Sequence, residues 1–129
     1  MDRRVVLLAV LVVHLAVAIF HGVSHGLIPV SQPAWQNALV LLTTFLGPVA
    51  GVALVWRDHP LGVPLFTVSI AGALFVGGLL HFVVESPDHV HAVPQHPWRL
   101  PFQVSAGALL VTDTLGTVVG LRFWEARTG

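Results

Sequence analysis

Residues 3–28 read RRVVLLAVLVVHLAVAIFHGVSHGLI, and from Val5 to Ile28 they contain no Asp, Glu, Lys or Arg. At about 1.5 Å per residue, a helix of this length crosses a hydrocarbon core about 30 Å thick. Three more runs follow, at about Asn37–Trp56, Val63–Val84 and Phe102–Trp124. They are separated by Pro29–Pro33, by Arg57–Pro60 and by a polar segment from Glu85 to Pro101. Backbone groups within lipid must bond one another, so runs this long without strand alternation predict helices despite their many valines. The expectation is an all-α integral membrane four-helix bundle: helices at about 5–28, 37–56, 63–84 and 102–124, an outer loop at 85–101, and residues 1–129 as a single transmembrane domain.

Composition supports that class and excludes others. Of 129 residues, 55% are hydrophobic and 9% charged, too few charges to solvate a water-soluble globule of this size. A formal net charge of +0 with no basic stripe argues against nucleic acid as a partner and leaves the lipid bilayer. Cysteine is absent, which removes disulfides, thiolate metal sites and cysteine nucleophiles. The start, Met1-Asp-Arg-Arg with Ala16-Val-Ala18 downstream, has the layout of a secretory signal. Hydrophobicity continues past Ala18 to Ile28 with no polar start beyond it, so the run is read as a retained first helix.

Arginine placement predicts orientation. With the amino terminus inside, Arg3, Arg4, Arg57, Arg122 and Arg127 lie at the inner face and Arg99 alone lies outside. Trp35 and Trp98 then open the second and fourth helices at the outer interface, and Trp56 and Trp124 close them at the inner one, as aromatic anchors do. An N-in, C-in multi-pass protein of the cell membrane is expected. Leu46-Gly-Pro-Val-Ala-Gly51 resembles Leu115-Gly-Thr-Val-Val-Gly120, and His21 and His25 stand 60 positions before His81 and Glu85. The chain therefore reads as two helical hairpins in tandem, an internal repeat. Gly22/Gly26, Gly47/Gly51 and Gly116/Gly120 are GxxxG pairs and Ala73/Gly77 is the small-residue equivalent; they serve close helix packing, within the bundle, in a homo-oligomer or against a larger membrane complex.

Polar side chains in a membrane are costly and mark function. The eight histidines are the anomaly of this composition. His21 and His25 lie one turn apart on the first helix, and His81 and Glu85 repeat that spacing on the third, all near the outer ends. Three imidazoles and a carboxylate suit a transition-metal ion such as Zn, Cu, Ni or Fe, with His21, His25, His81 and Glu85 as the metal ligands. Asp88, His89, His91 and His96 in the outer loop are additional candidate ligands. Haem b between His21 or His25 and His81 is the other form of this expectation. A neutral imidazole at an interface can also simply bond a carbonyl or water.

Deeper in the bilayer, His14 and Asp113 come out at one level near its middle, where they form an intramembrane polar pair suited to a proton relay or to a static bond between helices. No HExxH, GxSxG or phosphate-binding glycine loop is present, and no catalytic residues are named. The leading functional expectation is a histidine-rich metal- or haem-binding site near the extracytoplasmic face, for metal handling or electron transfer. The alternatives are a non-catalytic assembly subunit packing through its GxxxG faces, and a small proton-coupled carrier using Asp113 and His14.

Overall fold

The computed structural model describes residues 2–128, with side chains described through residue 126, so the side chain of Arg127 lies outside the described residues. Four helices long and apolar enough to cross a membrane make up almost all of it: α1 (Arg3–Leu27), α2 (Ala34–Trp56), α3 (Gly62–Val83) and α4 (Arg99–Thr128). No strand occurs among the described residues. Val12, Phe20, Leu41, Val68, Phe75 and Val104 face outward, while His14, Thr67, Ser69 and Asp113 are buried. Apolar outside and polar within is the reverse of a water-soluble fold, and suits surroundings as apolar as the helix surfaces.

The helices begin earlier than hydropathy alone predicts, because their first turns carry polar residues and prolines. α1 starts at Arg3, capped by Asp2, whose carboxylate accepts the Arg4 N–H at 2.9 Å. α4 starts at Arg99, so Pro101 is helical and the loop before it is shorter than expected. Proline is tolerated there, as is Pro64 in the first turn of α3, because first-turn N–H groups have no partner within the helix.

The start of α1 and the end of α4 lie at one end of the bundle. There Arg4 pairs with Asp58 at 2.5 Å and Arg3 with the same carboxylate at 3.6 Å, tying α1 to the α2–α3 turn. Asp58 itself takes a positive φ of 55°, a conformation Asp adopts more readily than most side chains. An apolar core of Leu7, Leu11, Val52, Val55, Val63, Phe66 and Ile70 fills this half. The residues between α3 and α4 close the other end, where Ile28, Val90, Val93, Phe102 and Ala106 form a second, smaller core.

The two hairpins do not pack equivalently, unlike the tandem repeat expected from sequence. α3 is gripped closely by both α2 and α4: Gly51 faces the Phe66 backbone, and Gly116 and Gly120 face Ile70 and Thr67. α1 meets α2 chiefly along Gly47–Trp56, and the first turns of α2, Ala34–Val40, bury no residue. The pair α1–α2 therefore parts toward the loop end. Two π-helical stretches, Leu41–Leu46 in α2 and Leu79–Val83 in α3, lie beside that gap. Such widened turns inside α-helices occur often at functional sites.

Candidate functional site

The site begins with a proline. Pro48 has no N–H to offer the Thr44 carbonyl four residues before it, so that acceptor is open. His14 reaches it from α1, with Nε2 at 2.8 Å from Thr44 O. A carbonyl only accepts, so Nε2 carries a proton. The other ring nitrogen, Nδ1, stands 2.7 Å from Asp113 Oδ1 on α4, an ion-pair contact, and neither atom makes a well-directed hydrogen bond. Two lone pairs would repel at this distance and two hydrogens would collide. A proton on one of the two relieves the repulsion, as imidazolium with carboxylate or as imidazole with carboxylic acid. The His14 side chain is 0% exposed and that of Asp113 6%, so this proton is shielded from bulk water.

One to two turns closer to the loop end, three histidines gather. His21 Nδ1 lies 2.9 Å from Ser105 Oγ, and Ser105 gives its own hydroxyl proton to the Phe102 carbonyl at 3.0 Å. The serine oxygen therefore accepts, His21 is protonated at Nδ1, and its Nε2 is a bare lone pair, buried and without a partner. His81 donates Nδ1–H to the Asp88 carbonyl at 2.8 Å. His25 donates Nε2–H to Asp88 Oδ1 at 2.5 Å, and Gln32 donates to the other carboxylate oxygen at 2.9 Å. Asp88 thus clasps α1, the α1–α2 connection and α3 at once.

Burial raises the Asp88 carboxyl, but the His25 hydrogen bond, the charges of His81 and His25 and the Gln32 bond together outweigh it and hold the group below the ordinary carboxylate range. A lowered carboxyl contributes stability above its unfolded value and loses it as pH falls through the folded one. Val90 N–H, bonded to the His81 carbonyl at 3.0 Å, reports on the clasp. Its hydrogen exchange, corrected for intrinsic pH dependence, is expected to quicken once pH drops below about 4. Asp88→Asn is expected to show the same loss of protection at neutral pH.

Phe102 packs against all three, its ring centre 4.9 Å from that of His21 and 5.5 Å from those of His25 and His81. Among the described residues no three His, Asp or Glu side chains stand together so as to hold one metal ion. The ring centres of His21 and His81 are 4.9 Å apart. Two imidazoles on opposite faces of a haem iron need about 6 Å, given metal–nitrogen bonds of about 2 Å.

Glu85 does not join the histidines. α3 ends at Val83 and Val84 is extended, so the one-turn spacing from His81 is broken, and Glu85 is exposed with His89 and His91 on an outer groove. His96 lies apart as well, its Nδ1 accepting the Trp98 N–H at 3.2 Å just before α4. Ser105, Gln32, Thr44 and Phe102 complete the site without having been singled out by sequence. Of these only Thr44 carried a signal, the proline four residues on.

A chamber of about 290 Å³ runs between the two polar groups, with His21, His25 and His81 lining one end and Asp113 the other. Its remaining walls are largely apolar, among them Ala73, Leu74, Val76 and Leu109. Below Asp113 the core of Leu7, Leu11, Phe66 and Ile70 is apolar and buried. Comparison with protein-family models, with curated proteins and with solved structures gives no match.

Proposed function

We propose that this is a multi-pass membrane protein with both termini on the cytoplasmic side, and that its chamber is an outward-facing, proton-coupled binding site of a small carrier. The orientation rests on the arginine bias, five at the termini end against Arg99 at the other. One observation carries the functional reading: Asp113 both lines the chamber and stands 2.7 Å from His14 Nδ1. A hydrogen-bond donor or cation arriving in the chamber against Asp113 favours the carboxylate, and the proton then sits on His14 Nδ1 or departs through the chamber. The apolar core beneath blocks its way toward the termini end. Infrared difference spectra of the purified protein across a pH jump test this. A carboxyl signal that responds to pH and vanishes in Asp113→Asn is expected; spectra identical in the two proteins would overturn the reading.

A transition-metal ion is a second reading, favoured by the bare Nε2 of His21, whose other nitrogen is held by Ser105 as the distal nitrogen of a ligating imidazole usually is held. It requires the histidine rings to turn toward a common point, since no three of these side chains now stand together. Metal retained after purification or loading, and lost in His21→Ala and in His81→Ala, would support it. Equal metal content in wild type and variants would end it.

A further inference from the structure

The chamber opens sideways. At the loop end it is shut by the Asp88 clasp and by the packing of Val90 and Val93 on Ile28 and Phe102. Between α1 and α2, by contrast, Gly22, Gly26 and Asn37 line it and are exposed, with Thr43 beside them half-buried. A Cβ placed on Gly22 or Gly26 would meet nothing within 4 Å. Of the three GxxxG pairs, this one alone serves no helix contact inside the chain. A small-residue edge is not itself a site, but this one leads to a polar atom without a partner: His21 is 7% exposed and its Nε2 is unbonded.

The protonation of that histidine selects the ligand. Ser105 holds the Nδ1 proton, so Nε2 offers a lone pair and calls for a hydrogen-bond donor. At the far end Asp113 is the second polar group. His14, its partner, and His21 are seven residues apart on α1, so the two ends stand about 10 Å from one another. Between them the walls are hydrocarbon. A dry cavity of about 150 Å³ holds one benzene ring, so 290 Å³ holds a substituted ring. A six-membered ring with a hydroxyl at one or both ends fits the length, the apolar middle and the acceptor.

We propose that the chamber binds the head of a lipid-soluble hydroxyaromatic, a phenol or quinol on an alkyl tail, arriving from the membrane between α1 and α2. Its hydroxyl donates to His21 Nε2, its ring lies against Ala73, Leu74 and Leu109, and its tail leaves past Gly22 and Gly26. The oxidised quinone has no proton to donate and leaves His21 unsatisfied, so the reduced form is preferred. This rests on the proton-coupled reading and names the ligand class of that same site.

The test uses purified full-length protein in detergent with two probes, 4-pentylphenol and 4-pentylanisole, the second a methyl ether of nearly the same shape without the O–H. Calorimetric titration is expected to show one phenol per chain and an ether weaker by about tenfold or more, the loss from leaving a buried acceptor unpaired. His21→Phe is expected to erase that preference. Gly22→Leu with Gly26→Leu is expected to abolish phenol binding while leaving helix content and unfolding midpoint unchanged, since a Cβ at either position meets nothing within 4 Å. Equal affinity for phenol and ether, or phenol binding indifferent to both sets of variants, would overturn the proposal. So would saturation of the site by Zn²⁺ or Cu²⁺ with no phenol bound, or a wild-type dimer that the leucine variants dissociate, which would show a second copy covering the opening. Failure of the phenol with the Asp113 infrared signal intact removes the ligand class alone; loss of that signal removes the reading beneath it.

Discussion

Gly51→Ala is expected to cost this protein most of its folded stability, although it adds a single methyl group. A Cβ at position 51 falls 2.7 Å from Phe66 Cα and 2.8 Å from Phe66 Cβ. No rotamer change relieves a clash with backbone, so α2 and α3 must move apart along their whole contact. In lipid there is little hydrophobic force to offset that, because helix association rests on close van der Waals packing. Overpacking costs about 1–3 kcal/mol in adaptable cores and more where the obstacle is rigid. Displacing α2 also moves the Thr44 carbonyl away from His14. The series is graded: at Gly120 the obstacle is the Thr67 side chain, which can rotate, and at Gly22 there is none. Unfolding in graded SDS is expected to rank Gly51→Ala as far the least stable, Gly120→Ala next and Gly22→Ala as wild type. A Gly51→Ala protein as stable as Gly22→Ala would refute the close α2–α3 contact.

Reading the chain in order already locates four helices long and apolar enough to cross a membrane, because apolar length needs no tertiary contact to be seen. Depth arithmetic along α1 and α4 likewise brings His14 and Asp113 to one level without knowledge of side-chain geometry. What pattern does not contain is the local departure from ideal helix. The spacing from His81 to Glu85 assumes α-geometry, yet α3 passes through a π-helical turn and ends at Val83, and Asp88 from the following segment takes the place beside His25 instead. Phe102 packs against the histidines through a contact some 80 residues away in sequence from His21, which no periodicity encodes. The repeat between hairpins misleads for the same reason: similar glycines on α2 and α4 both turn toward α3, leaving α1 free to part from α2. That parting creates the chamber, and it arises from which faces meet rather than from which residues occur.

Asp113→Asn and Asp113→Leu are expected to abolish the same proton signal while differing widely in stability. In the asparagine variant the amide N–H donates to Nδ1 of a neutral His14, whose Nε2–H still reaches Thr44. Both nitrogens of His14 keep a partner, no net charge enters the bundle, and only the exchangeable proton is gone. Leucine removes the partner altogether. Nδ1 of His14, in a side chain 0% exposed, is then left without a bond at a cost of about 1–3 kcal/mol. SDS unfolding should therefore place Asp113→Asn near wild type and Asp113→Leu well below it, with neither showing the pH-dependent carboxyl band. Equal destabilisation by both would mean that a fixed imidazolium–carboxylate pair holds α1 to α4, since an amide replaces a shared proton but not a charge. A pH-dependent carboxyl band retained in Asp113→Asn would overturn the proton-coupled reading of Asp113.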